Sequence, residues 1–211
     1  MEKKRIICYG DSNTWGYVPG TNFERFSEKI RFTKRLQNEL GSKFEVIEEG
    51  LFARTLASEY QRSGKEGRNG KTYLVPCLLS HEPLNLVILM LGTTELKKEF
   101  NNSPKDIGKF LDKYYAQVIP KQKSMSGCPG PKLLIICPPI IDETIASPRY
   151  VDGTKKAKQL SHIYAEVARK NNCLFIDASN LEVGIDGVHM TAKSHKLLFE
   201  MLAKKIKEIK W

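Results

Sequence analysis

Residues Leu86–Leu91 read LVILML and run straight into Gly92-Thr93-Thr94-Glu95. A continuous apolar run, with no polar alternation, suits a strand covered on both faces. Moving outward, similar short β-rich runs recur. Arg5–Tyr9 (RIICY) leads into Gly10-Asp11-Ser12, and Phe44–Ile47 (FEVI) into Glu48-Glu49-Gly50. Leu133–Cys137 (LLIIC) leads into Pro138-Pro139, and Leu174–Ile176 (LFI) into Asp177. Amphipathic stretches lie between them. Glu28–Leu40 puts Ile30, Thr33, Leu36 and Leu40 near one face, with Gly41 as a stop. Ser103-Pro104 starts a helix that buries Ile107, Phe110, Leu111, Tyr114 and Val118. Gly153–Asn171 and Ala192–Ile209 are two more helices. Strands alternating with helices imply one α/β domain over residues 1–211. It is expected to be a three-layer sandwich on a five-stranded parallel sheet, flavodoxin-like in strand order.

The rest of the chain narrows the function classes. With 211 residues, 41% hydrophobic and 27% charged, it can bury a real core. No apolar run reaches the length of a membrane span. The segment Met1-Glu2-Lys3-Lys4-Arg5 meets too short an apolar stretch for a signal-peptide core, so a cytoplasmic protein is expected. Cys8, Cys77, Cys128, Cys137 and Cys173 are odd in number and widely spaced, which argues against a disulfide framework or a zinc site. Cys8, Cys137 and Cys173 sit in or beside apolar runs and are expected to be buried. The net charge of +10 raises nucleic-acid binding. The lysines are spread along helix faces, however, as at Lys155, Lys156 and Lys158 and at Lys204, Lys205, Lys207 and Lys210. A solvated basic surface, with neither a nucleic-acid nor a membrane partner, is the better reading.

In such a sheet, ligands bind beyond the carboxyl ends of the strands, so the residues after each strand carry the chemistry. Gly10-Asp11-Ser12-Asn13 places a serine on a strand-to-helix turn, where nearby N–H groups can stabilise an anion. Asp186-Gly187-Val188-His189 lets one loop deliver an imidazole and a carboxylate to orient it. Thr94 offers a donor at the same rim. Each segment alone is equally readable as a turn or a helix cap. His81 lies in a loop, and His162 and His195 lie on helices, where partly exposed surface positions are expected. No cluster has metal-ligand spacing, so neither metal nor cofactor is expected.

Taken together and in order, these segments resemble the SGNH, or GDSL, hydrolase family, most closely its arylesterase and acyltransferase branch. The first block is Tyr9-Gly10-Asp11-Ser12-Asn13-Thr14-Trp15-Gly16-Tyr17, and the second is Glu48-Glu49-Gly50-Leu51-Phe52-Ala53-Arg54-Thr55-Leu56. The third is Met90-Leu91-Gly92-Thr93-Thr94-Glu95-Leu96-Lys97, and the last is Asp186–His189. Arg68-Asn69-Gly70 and Pro138-Pro139 also look like branch features. The resemblance implies a serine esterase acting on small-molecule esters through an acyl-enzyme. Ser12 would be the nucleophile, His189 the general base and Asp186 its orienting carboxylate. The N–H groups of Ser12 and Ala53, with Gly50 as the alternative to Ala53, would hold the oxyanion. Trp15 would wall the acyl pocket and Phe52 would narrow its mouth. The branch often forms homo-oligomers, so self-association is an expectation. Where the family carries Asn-Asp in the third block, this chain has Thr94-Glu95, which replaces the third oxyanion donor by a shorter hydroxyl. Two other readings follow: a carbohydrate O-deacetylase, or a degenerate member that mainly binds a ligand.

Overall fold

A computed structural model describes residues 3–211. Five strands form one sheet: β1 (Lys4–Gly10), β2 (Phe44–Gly50), β3 (Leu86–Met90), β4 (Lys132–Cys137) and β5 (Leu174–Asp177). They run in the order β2-β1-β3-β4-β5, every neighbouring pair parallel. The expected five-stranded parallel sheet and its flavodoxin-like order are therefore present. β3 is buried along its whole length, as its unbroken apolar run demands. The α-helices among the described residues are α1 (Ser12–Trp15), α2 (Phe32–Leu40), α3 (Gly70–Ser80), α4 (Pro104–Leu111), α5 (Gly153–Lys170) and α6 (Ala192–Lys207).

The sheet separates two cores. On one face Ile7, Tyr9, Val87, Leu89 and Ile135 pack with residues of α3, α4 and α5. On the other Ile6, Cys8, Ile88 and Leu134 pack with residues of α2 and α6. Alternate residues of β1 thus enter opposite cores, as period-two geometry requires.

Several local readings need correction. The helix read from Glu28 begins only at Phe32. Ile30 lies in the turn before it, and Arg31 holds Glu48 instead of continuing a helix. α3 escaped the periodicity reading because its apolar residues lie on no single face and Pro76 sits inside it. Asn69 caps it by accepting the Lys71 N–H. α4 has the expected Ser103 start, with a full capping box to Asp106. Its continuation, Asp112–Ala116, is a π-turn. One extra residue per turn shifts the helical phase, so Tyr115 and Ala116 point into the core while Tyr114 and Val118 are only partly buried. Finally, His195 is fully buried rather than partly exposed. It lies beside Phe26 and Phe32, and its Nδ1 accepts the Phe32 N–H at 3.4 Å. Burial, then the Arg31 charge, push its pKa down to about 3, so it is a neutral pin between α6 and α2. His162 is exposed.

The five cysteines are all free thiols. Cys8, Cys77 and Cys137 are buried and Cys128 is exposed, while Cys173 is half-buried rather than buried. Among the described residues, no helix is long and apolar enough to cross a membrane.

Candidate active site

The polypeptide leaves β1 through Gly10 and turns at once into α1. Asp11 is the N-cap and accepts the Asn13 N–H at 2.9 Å. Gly16 ends the helix with φ 90°, in the left-handed region that suits glycine. This one-turn helix sets Ser12 at the carboxyl end of the sheet. Gly50 at the end of β2 lets it approach closely, because a Cβ there would stand 2.2 Å from the Trp15 nitrogen.

The loop before α6 arrives at the same point. Ser12 Oγ lies 2.9 Å from His189 Nε2, and His189 Nδ1 lies 2.7 Å from Asp186 Oδ2. The other oxygen of Asp186 accepts the N–H groups of Val188 and His189, each at 3.0 Å. Partial burial works against a charged Asp186. The His189 hydrogen bond and charge, with those two N–H donors, outweigh it and hold the pKa at about 2. Asp186 is thus an acceptor at both oxygens, which favours the His189 tautomer with hydrogen on Nδ1 and a free Nε2 facing Ser12.

Three side chains that the sequence did not single out join these parts. Asn13 is buried, and its Oδ1 accepts the Met190 N–H at 2.8 Å, tying α1 to the His189 loop. Tyr17 lies against the imidazole with ring centroids 4.3 Å apart. Glu95, fully buried, accepts the N–H groups of Ala57 and Ser58 and a hydrogen bond from Asn102, so it anchors the loop after β2. The resemblance could have flagged Asn13 and Tyr17, which stand in its first block. The longer Glu95 was noted there only as a departure.

The expected oxyanion and pocket residues fall as follows. Ala53 is buried at φ 61°, a conformation that L-residues other than Asn and Asp rarely adopt. Arg54 pins that loop by donating to the Gly10 and Glu49 carbonyls, and its guanidinium lies 4.1 Å from the Tyr9 ring centroid. Thr94 is buried in the turn after β3. Phe52 lies 6.4 Å from the His189 ring and packs on Tyr17 and Phe23. Trp15 is one ring further out, packed on Tyr17 and beneath Arg25. The ring nearest the imidazole is therefore Tyr17, tilted against it by 32°.

One grouping is invisible in sequence spacing. Ligand atoms of Glu49, Cys77 and His81 lie within 4.8 Å of one another. Burial, then the Glu49 charge, push the Cys77 thiol up to about 12, and Arg54 already stands 3.5 Å from Glu49. A protonated thiol beside a guanidinium–carboxylate pair is a poor cation site.

An α/β sandwich whose strand-end rim carries a hydroxyl, an imidazole and a carboxylate in one hydrogen-bonded line has the arrangement of a serine hydrolase. The comparisons agree. The GDSL-like Lipase/Acylhydrolase family matches residues 8–197, and the chain belongs to that family as a carboxylic-ester hydrolase. It is similar to an aryl esterase of M. smegmatis: 36% identity, 98% of this chain and 100% of that one, TM-score 0.90. It is also similar to a carbohydrate acetylesterase from Sinorhizobium meliloti: 33% identity, 97% of this chain and 99% of that one, TM-score 0.88. A lipase/acylhydrolase from Enterococcus faecalis, at 18% identity, 97% and 95% coverage and TM-score 0.68, shares the fold. No curated protein matches the chain.

Proposed function

We propose that the chain, as a single domain, hydrolyses or transfers small acyl groups of carboxylic esters through an acyl-Ser12 intermediate. The observation that carries this reading is the unbroken line Ser12 Oγ–His189 Nε2 (2.9 Å) and His189 Nδ1–Asp186 Oδ2 (2.7 Å) at the sheet's carboxyl edge. Ser12 Oγ attacks the ester carbonyl while His189 Nε2 takes its proton, and Asp186 stabilises the imidazolium that forms. His189 then gives that proton to the departing alkoxide. Water repeats the sequence on the acyl-enzyme, with His189 again as base.

The tetrahedral oxyanion is held by the N–H groups of Ser12 and Ala53 and by the Thr94 hydroxyl. Ala53 is preferred over Gly50 for two reasons. Its left-handed φ is a strain that orienting a donor would explain. Gly50 has a different reason to be glycine, the close approach of Trp15.

The test is covalent labelling. A fluorophosphonate should add to Ser12, as read by peptide mass, and Ser12→Ala and His189→Ala should both abolish it. Labelling of another serine would overturn the assignment. Similarity to a carbohydrate acetylesterase keeps sugar O-deacetylation as a second reading, and a panel of acetylated sugars set against aryl acetates tests it. We further take the protein to be cytoplasmic and self-associating, and light scattering on the purified chain tests the second point.

A further inference from the structure

We propose that this esterase selects esters bearing an anionic group, a carboxylate or a phosphate, held by Arg62, Lys65 and Arg149 beside the mouth of the site, with Lys97 at the inner end. The inference rests on the esterase reading above and names the substrate class of that same site.

The basic groups connect to the reacting centre through named contacts. Lys65 Nζ lies 5.3 Å from the centroid of Phe52, the ring that packs beside His189. Further in, Tyr60 donates to the Ala53 carbonyl at 3.3 Å and accepts from Lys97 Nζ at 2.8 Å. Lys97 also faces the Tyr150 ring, and the Arg62 guanidinium covers the other partner, Tyr60. Outside these lies an open hollow of about 570 Å³ lined by Arg62, Lys98, Glu99, Pro148 and Arg149.

The charges there are poorly balanced. Arg62 has one carboxylate partner, Glu99 at 3.5 Å. Among the described residues, Lys65, Lys97 and Arg149 have no carboxylate within ion-pair distance. Glu66 and Glu59 are the other acids of the segment, and Glu59 accepts a hydrogen bond from Asn69. Lys97 is the most telling, since it is buried with only a phenol as hydrogen-bond partner. A buried ammonium without a counter-ion is costly, so such a group normally has a purpose in binding or chemistry. Burial first, then the like charges of Lys65, Arg149 and Arg62 against the opposing Glu99, bring its pKa down to about 8. Lys65 is lowered by burial, then by Arg68, Arg62 and Arg149. Lys65 and Lys97 both feel the like charges of Arg62 and Arg149, so an anion entering beside them would relieve that repulsion. A cleft lined by one sign of charge also concentrates oppositely charged substrate.

The experiment compares kcat/KM for four esters: neutral p-nitrophenyl acetate, the p-nitrophenyl monoester of glutarate, 4-acetoxybenzoate and 4-acetoxyphenyl phosphate. These place no charge, a carboxylate on the acyl side, a carboxylate on the alcohol side and a phosphate on the alcohol side. At least one anionic ester should exceed the neutral one by roughly tenfold at low salt, and that advantage should shrink as sodium chloride rises. Which anionic ester wins tells carboxylate from phosphate and acyl side from alcohol side. Arg62→Glu/Arg149→Glu, and separately Lys65→Ala, should cut the anionic kcat/KM by roughly fivefold to tenfold and leave p-nitrophenyl acetate unchanged. Equal turnover of neutral and anionic esters, or equal losses for both in the variants, would overturn the proposal and leave the esterase reading intact. No hydrolysis of any ester would sink that reading as well.

Discussion

Replacing Asn13 tests whether the two halves of the site are held by one side chain. Asn13 follows the candidate nucleophile directly and is 2% exposed. Its Oδ1 accepts the N–H of Met190, the residue after His189, at 2.8 Å, and its Nδ2 makes a long contact of 3.5 Å to the Val188 carbonyl. Asn13→Ala therefore leaves the Met190 N–H buried without its partner, which costs about 1–3 kcal/mol. The Val188 contact adds little, and the small cavity left behind adds to the cost. A loss of about 2 kcal/mol should lower Tm by about 4–8 °C in a chain of this size. The catalytic effect is separate. If the His189 loop shifts by about 1 Å, the Ser12–His189 bond lengthens and kcat falls by about 10²-fold. Asn13→Leu keeps most of the volume without the acceptor, so it separates packing from hydrogen bonding. Both variants should lose kcat far more than they raise KM, and both should slow fluorophosphonate labelling. Variants that lose stability and keep the parental kcat would show that Asn13 holds the fold without positioning the base. Variants with unchanged stability and kcat would refute the coupling altogether.

Thr94→Val keeps the shape and removes the hydroxyl; as the loss of an oxyanion donor it should cost up to about 10²–10³ in kcat, whereas Thr94→Asn should match or exceed the parent. Parental kcat in Thr94→Val would show that Thr94 donates nothing. Ala53→Gly fits φ 61° without strain and should keep stability and activity, while Ala53→Val should lose at least about 1–2 kcal/mol and lower kcat, as read by denaturant titration and ester turnover. Burial raises Asp11 from 3.8 to about 6, against the Asn13 N–H and the charges of His189, Lys97 and Arg54. The folded state then holds the extra proton between those values, so stability contributed there is present below pH 3.8 and lost as pH rises through about 6. Asp186 has the opposite sign: its pKa of about 2 gives a contribution present above 3.8 and lost as pH falls toward 2. Urea titrations from pH 4 to 7 should show Asp11→Asn flattening the decline, and an unchanged slope would contradict it.

The sheet was readable because each strand, most clearly Leu86–Met90, is a short apolar run bounded by turn residues. Burial on both faces writes itself into composition. The ends of the helices were less readable. Arg31 belongs to an ion-pair network with Glu48, Arg25 and Lys34, so a segment that looks amphipathic from Glu28 onward stays in a turn. The phase of Tyr115 depends on a π-turn, which no 3.6-residue pattern predicts. At the site, Ser12, Asp186 and His189 stood out through chemistry and spacing in two blocks. Tyr17, Asn13 and Glu95 did not, because their roles are contacts across long stretches of chain. The bond from Asn13 to Met190 spans 177 positions. His195 shows the converse limit, since its burial comes from α2 packing on α6 and nothing in its own neighbours announces it.

The loops around the site are fixed from beneath by buried tyrosines. Tyr9 donates to the Gly70 carbonyl at 2.7 Å, Tyr115 to Leu56 at 2.6 Å and Tyr164 to Leu91 at 2.9 Å. The three acceptors lie at the start of α3, in the loop after β2 and just past the end of β3, and Glu95 likewise accepts two N–H groups of the loop after β2. A reacting geometry held to a fraction of an ångström needs such support, because misplacement by about 1 Å is costly. The rim is different. Phe23 and Ile185 are 61% and 78% exposed, and Arg62 and Arg149 are exposed as well. These residues can change without disturbing the hydrogen bonds that hold the reacting groups. On the reading proposed above, the molecule separates its two tasks in space, with turnover set by the buried frame and choice of ester set by the rim together with Lys97 at its inner end. Substitutions in the frame should lower kcat for every ester alike, whereas substitutions on the rim should change the ranking of esters and leave the pace of the best one intact.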